Sequence, residues 1–263
     1  MPRLWRLASC AMAVLLVLTQ CSAPETPPEQ TLSKPRVQLM TSLPLVWGDN
    51  ASMESILSGG AEPAAIYRYW QDQYDITALD SLERLEQDDP DILLLAQPRA
   101  MDPADLAILD DWVRSGGAVI ILTDPDLVWP SALPLGDRRR PLVSGLLSPL
   151  LSHWGLELVA DAQPDIDAVD LHFGDHSFVT QGIGKLKPIT ENRASGVRCK
   201  SSAADFIVQC SVGQGRASII ADADFLNAAY WPEPTLQSPQ NSGAVRFIDS
   251  LVDEHIDSNV SEK

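Results

Sequence analysis

Apolar and polar positions follow two different periods along this 263-residue chain, and each change of period marks an element. Asp91-Ile-Leu-Leu-Leu-Ala96 and Ala118-Val-Ile-Ile-Leu-Thr123 are short continuous apolar runs, the pattern of strands covered on both faces in a parallel sheet. Between them, Asp102 to Ser115 begins with Asp-Pro, keeps Leu106, Leu109 and Val113 on one stripe and stops at Gly116-Gly117, which predicts a helix. Strand, helix, glycine stop and strand in that order form a βαβ crossover. Upstream, Val37 to Met40 predicts a first strand and Glu62 to Gln73 a helix with proline at its start, followed by a strand over Asp75 to Asp80. Leu43-Pro-Leu-Val-Trp-Gly48 lies between them as a loop whose apolar residues are free to line a cleft, because Pro44 argues against one unbroken strand.

Downstream, Leu142 to Trp154 predicts a helix bent at Pro149, with a strand over Gly155 to Val159 after it. Beyond Asp161 the period shortens. Val169 to Phe173, Phe178-Val179, the segment around Cys199, Phe206 to Val212 and Ala217 to Ala221 predict short strands of antiparallel character. Ser242 to Ile256 closes the body as a helix with Val245, Ile248 and Val252 at helical spacing. The expected fold is α/β, a mainly parallel sheet flanked by helices with a more antiparallel C-terminal portion, and no internal repeat is present.

The first residues carry a different signal. Arg3 and Arg6 lead into the apolar run Ala11 to Leu18, too short to span a bilayer, and a polar, proline-rich exit follows. This resembles a bacterial secretory signal. Leu18-Thr-Gln-Cys21 resembles a lipoprotein cleavage box in which Cys21 becomes the lipidated first residue, although Gln20 stands where such boxes carry Gly, Ala or Ser. Cleavage after Ala23 and an uncleaved anchor are the alternatives, and all three place the body across the membrane. The expected organisation is a signal peptide over 1–20, a flexible linker over 21–35, a single α/β domain over 36–258 with an antiparallel elaboration at about 165–215, and a tail over 259–263. The expected location is the periplasmic side of a bacterial membrane, lipid-anchored or soluble. Ser22 is compatible with outer-membrane sorting.

A formal charge of −17 makes nucleic acid a poor partner. The one basic cluster, Arg138-Arg-Arg140, is expected as a solvated loop that is also able to face anionic lipid. Of four cysteines, Cys199 and Cys210 belong to the body, and an oxidising compartment makes them a candidate disulfide across a hairpin. Asp124 and Asp126 follow one predicted strand, and Asp222 and Asp224 another, so four carboxylates fall near strand ends where such sheets bind ligands. They are candidates for Ca²⁺ or Mg²⁺, against the plainer role of capping the next turn. His172, Asp175 and His176 have a zinc-like spacing but no third ligand, and no metal or cofactor is expected there. Trp112 and Trp154 fall on apolar helix faces and are expected in the core. Trp129, Tyr230 and Trp231 lie in loops after the acidic strand ends and are candidates for a partner-binding rim, unless they pack those loops onto the sheet.

Asp91-Ile-Leu-Leu-Leu-Ala-Gln-Pro98, Leu106 to Ser115 with Gly116-Gly117, Val119-Ile-Ile-Leu-Thr-Asp-Pro125 and Val212-Gly-Gln-Gly-Arg-Ala-Ser-Ile-Ile-Ala-Asp-Ala-Asp-Phe225 together resemble the periplasmic auxiliary subunits of certain ABC transport systems, including the gliding-motility type. The resemblance covers Val37 to His255. It implies an α/β fold shared with class I glutamine amidotransferases, and a membrane complex of ABC-transporter type as partner. It implies a fold and not an activity. An amidotransferase-like enzyme needs a nucleophile on a sharp strand-to-helix elbow, and neither Gly-x-Cys-x-Gly nor Gly-x-Ser-x-Gly occurs in this chain. The expectation is therefore a non-enzymatic, membrane-tethered periplasmic protein that binds a partner without a cofactor. The alternative is a periplasmic hydrolase or sugar-binding protein that uses a divalent cation in the acidic loops.

Overall fold

The computed structural model describes residues 33–49, 51–160, 167–190, 193–202 and 204–261. Cys21 and the expected signal lie outside them. Residues 34–263 form one compact unit. Along the chain run β1 (Arg36–Thr41), α1 (Met53–Leu57), α2 (Ala65–Gln73), β2 (Asp75–Ala78), α3 (Leu85–Asp88), β3 (Ile92–Ala96), α4 (Pro103–Arg114), β4 (Ala118–Leu122), α5 (Ser148–His153) and β5 (Leu156–Val159). They are followed by β6 (Val169–Phe173), β7 (His176–Thr180), β8 (Lys185–Pro188), β9 (Val197–Ser202), β10 (Ile207–Val212), β11 (Gly215–Ile220), α6 (Glu233–Leu236) and α7 (Gly243–Ser261).

Seven strands form one sheet in the order β2-β1-β3-β4-β11-β10-β9. The first five are parallel, and β10 and β9 add an antiparallel edge. The mainly parallel α/β fold read from the apolar runs is the fold observed. One strand departs from expectation: β11 pairs antiparallel with β10 but parallel with β4, so it belongs to the core of the parallel sheet. Its last four residues are all buried, as a strand covered on both faces requires. The hairpin β6–β7 and the pair β5–β8 stand apart from the main sheet.

Alternation along the central strands feeds two cores. Leu94, Ile120 and Ile220 face α2 and α7, packing with Ile66, Trp70, Phe247 and Ile248. Leu93, Leu95, Val119, Ile121 and Ile219 face α4 and α5, packing with Leu109, Trp112, Leu151 and Trp154. Each such side chain contributes about 1.5–3 kcal/mol on burial. A polar clamp ties α2 to α7. The Tyr69 and Tyr74 hydroxyls each donate to one oxygen of Asp249 at 2.8 Å. Where α4 ends against the start of β11 the backbones nearly touch, and a Cβ at Gly215 would lie 2.0 Å from the carbonyl oxygen of Val113. Only glycine fits there.

The expected helix over Leu142 to Trp154 is shorter. It spans only Ser148–His153, with Pro149 in its first turn, where proline starts a helix instead of bending it. The preceding stretch is held in a loop across the sheet by other bonds: Leu142 N–H donates to Ser42 Oγ at 3.2 Å and Gly145 N–H to the Asp124 carbonyl at 2.6 Å. In the loop after β1, Leu43 and Leu45 are buried, and Trp47 is the exposed one of the apolar residues from Leu43 to Trp47, at 50%.

Cys199 and Cys210 face each other in the β9–β10 register and form a disulfide. It closes a short loop at the sheet's free edge. Replacing both by serine should lower stability by about 2–3 kcal/mol in urea unfolding, with the folded baseline unchanged; an unaltered midpoint would show that β9 is held by packing alone.

Candidate functional site

Parallel pairing sets Leu122 beside Ile220, and the two chains leave the sheet together. Asp124 follows one strand, and Asp222 and Asp224 follow the other. All three are fully buried, and one oxygen from each lies within 4.8 Å of the others. Among the described residues this is the only such group of three. Asp126, expected with them, is exposed and contributes its backbone instead, its N–H donating to Asp124 Oδ1 at 2.8 Å. That is the geometry of an Asx turn, which turns the side chain of Asp126 away from the cluster.

Nearly every carboxylate oxygen already has a protein donor. Asp124 Oδ2 accepts the Ala223 N–H at 3.3 Å, and Asp222 accepts the Asp224 N–H at 2.7 Å and the Thr180 hydroxyl at 2.6 Å. Asp224 Oδ2 accepts the Val128 N–H at 2.7 Å, and of the oxygens of these three carboxyls Asp224 Oδ1 is the one left buried without a partner. A calcium ion takes six to eight oxygens, so this set suits carboxyl groups that share protons better than it suits a cation. Burial first, and then the charge of Asp222, pushes the Asp124 carboxyl far above the usual range. Burial likewise raises Asp222 to about 7 and Asp224 to about 6.

A second polar node adjoins the first. Gln97 follows β3 with a left-handed φ of 45°, unusual for a residue with a side chain. Its Oε1 accepts the Asp124 N–H at 2.8 Å, and its Nε2 donates to the carbonyls of Asp124 and Leu142, both at 3.0 Å. Its own carbonyl accepts the Ser42 N–H and hydroxyl. A strained corner at a strand end is where an elbow presents a nucleophile; here the corner holds an amide with both polar ends bonded. Sequence reasoning missed Gln97 and Thr180. The signal for Gln97 was a lone polar residue closing a continuous apolar run.

The aromatic candidates separate. Trp231 is only 6% exposed and donates its indole N–H to the Phe225 carbonyl at 2.9 Å, so the expectation of an exposed ring is corrected: it packs its loop onto the sheet. Tyr230 is half-buried, with its hydroxyl donating to Gln181 Oε1 at 2.8 Å. Trp129 is half-buried and donates to Asp49 Oδ1 at 3.0 Å, joining the loop after β4 to the loop after β1. Seven of the eight other large exposed apolar side chains among the described residues lie on the same two segments, Trp47, Met53 and Leu57 on one and Val128, Leu135, Val143 and Leu146 on the other, while Leu236 lies on α6. His172 and Asp175 are exposed in the β6–β7 hairpin, while His176 is half-buried with its ring 5.9 Å from Phe247.

Residues 34–189 match the family described as an ABC-type uncharacterized transport system, and since that is more than half of the chain, the protein belongs to this family. No curated protein matches the chain significantly. Among solved structures it is similar to the mmIFT52 N-terminal domain, at 12% identity and a TM-score of 0.47 over 84% of this chain and 96% of that one. It is also similar to the exo-β-1,4-mannosidase Op5Man5 from Opitutaceae bacterium strain TAV5, at 14% identity and 0.42 over 83% of this chain and 36% of that one. The cytoplasmic protein STM3548 from Salmonella typhimurium matches at 10% identity and 0.43 over 82% and 97%. The chain thus spans about a third of the mannosidase, and at these distances none of the three bears on what it binds.

The acidic cluster makes stability depend on pH. A carboxyl whose folded pKa lies above its unfolded value of 3.8 binds more protons when folded, so its contribution is present at low pH and is lost as pH rises through the folded values, the lowest of them about 6. His255 acts in the opposite sense. Burial, and then the charge of Arg216, lowers it to about 4, so its contribution is complete above pH 6.5 and lost as pH falls toward 4. Between pH 8.5 and 7 the carboxyls dominate, and Tm should rise on acidification. Asp124→Asn supplies a permanent N–H donor in place of the shared proton, and should raise Tm at pH 8 by about 2–4 °C, on the order of 1 kcal/mol, while flattening the slope. Millimolar Ca²⁺ or Mg²⁺ should leave the wild-type Tm unchanged; a rise of several degrees would identify a cation site after all.

Proposed function

We propose that this chain is a non-enzymatic, membrane-tethered periplasmic component of an ABC-type transport system, and that it binds the membrane complex through the loops at the C-terminal edge of its parallel sheet. The observation that carries this reading is the concentration of exposed apolar side chains on the segments that follow β1 and β4. Scattered surface apolar residues need no explanation, but seven of eight on two adjoining segments do. The indole of Trp129 and the guanidinium of Arg139, which donates to the Ala51 carbonyl at 3.2 Å, hold the two segments side by side.

Polarity of the strands supports the arrangement. The linker joins the domain at the start of β1, and the binding loops leave the opposite ends of β1 and β4. A lipid on Cys21 would hold the domain on a linker reaching roughly 20 Å as a coil and about 50 Å fully extended. Tethering raises the local concentration, so a modest interface suffices. Family membership supports the class of partner. The Gln97 corner, where an elbow would present a nucleophile, carries an amide with both polar ends bonded.

The test is co-purification from detergent-solubilised membranes with Leu135→Glu and Val143→Glu introduced together. Both positions are exposed, Leu135 at 90%, so Tm should move by less than about 2 °C. Recovery of transporter subunits should fall at least about tenfold, the effect of roughly 1.4 kcal/mol. Undiminished recovery with an intact fold would remove this face from the interface.

A further inference from the structure

Between the two segments lies a cleft of about 200 Å³. It sits outside the C-terminal ends of β1 and β3. From β1 the chain crosses to β2 on one side, and from β3 to β4 on the other, so the strand order 2-1-3-4 places its topological switch point here. Open parallel sheets bind ligands in the crevice at that point. Leu43, Trp47, Ile56 and Leu133 give the cleft apolar walls, with the half-exposed ring of Trp47 among them.

Accounting for the polar groups leaves two unspent cations. The Thr41 and Ser42 hydroxyls donate to the carbonyls of Ala96 and Gln97. Arg139 is paired in bidentate fashion with Asp137. Asp49 accepts the Trp129 indole, and Asp80 lies exposed in the lining without an ion pair among the described residues. Arg99 uses only Nη2, on the carbonyls of Arg138 and Arg140, which leaves its Nε and Nη1 donors. The Arg138 guanidinium makes no hydrogen bond or ion pair among the described residues. Two arginines lining one small cleft of mixed polar and apolar walls stand out on a chain of charge −17.

We infer that this cleft binds a small molecule carrying one carboxylate or phosphate group on a flat or apolar body. The oxyanion lies on Arg99 and Arg138, whose planar forks match it in geometry, and the body lies against Trp47 and Leu133. Size sets the class. Sites for drug-sized ligands run to roughly 300–1,000 Å³, so a flavin or a dinucleotide does not fit, whereas a single ring or a short chain does. The site stands whether or not the surrounding face binds a transporter.

The test is an NMR titration of the ¹⁵N-labelled full-length chain, with the Trp47 indole signal identified by its loss in Trp47→Phe. Phenyl phosphate and benzoate are the probes, with inorganic phosphate and benzyl alcohol as controls. At least one of the two aryl anions should shift the Trp47 indole to saturation, and which of them does so distinguishes a phosphate from a carboxylate ligand. Arg138→Gln, at an exposed position, should weaken that binding at least about fivefold with the remaining spectrum unchanged. Equal binding by benzyl alcohol would overturn the anion, equal binding by inorganic phosphate would overturn the apolar body, and no saturable shift, or one indifferent to Arg138→Gln, would overturn the site.

Discussion

Parallel pairing of β4 with β11 is the constraint on which the rest of this structure depends. It joins segments far apart in the chain, at the register Leu122 with Ile220, and is possible only because Gly215 lets β11 start against the end of α4. Everything at the C-terminal edge follows. Asp124, Asp222 and Asp224 converge because their strands end level. The Asp224 carboxylate then holds the Val128 N–H, and the Asp124 backbone holds Gly145 and the Gln97 amide. The two loops bearing the exposed apolar side chains are thus anchored, at one remove, by a strand pairing in the core.

That anchorage has an electrostatic cost. Three buried carboxylates disfavour one another's charge, and burial disfavours each singly. The cluster persists because nearly every oxygen accepts an N–H or O–H from the protein, and such bonds to a charged or proton-sharing acceptor are among the stronger ones. Buried polar networks fix a unique arrangement more than they add stability. Here the arrangement fixed is the path of the chain after β4. Gln97 extends the network to β1 through Ser42, so three neighbouring strand ends are tied into one polar layer.

Much of the fold was legible in the sequence because its strongest signals are physical ones. A run such as Ala118 to Leu122 buries every side chain, and its shortness, its β-branched residues and the Gly116-Gly117 before it favour a strand covered on both faces over a buried helix. The Asp-Pro start and Gly-Gly stop fixed α4 to within a residue. Local pattern did not reveal what depends on distant partners. Leu142 to Leu147 has helical spacing, yet its backbone bonds to Ser42 and Asp124. Trp231 and Trp129 look alike in sequence, but one N–H meets a buried carbonyl and the other a surface carboxylate. Asp126 and Asp124 are both aspartates after one strand, and the Asx turn between them leaves one buried and the other exposed. Gln97 gave almost no warning, since its role rests on three segments meeting at one corner.

Strand polarity gives the domain two ends of different character. One holds the start of β1 at Arg36 and the tight Gly213-Gln214 turn; the other carries Trp47, Trp129, Leu135 and Val143 on loops tied to the acidic layer. The most direct measurement of whether the second end is the working surface is in-cell photo-crosslinking, with the reactive residue placed at Leu135 or, as control, at the exposed Gln214 on the opposite end. Crosslinks to a membrane transport subunit at 135 and none at 214 are the predicted result. Crosslinks at 214 alone, or at neither position, would contradict it.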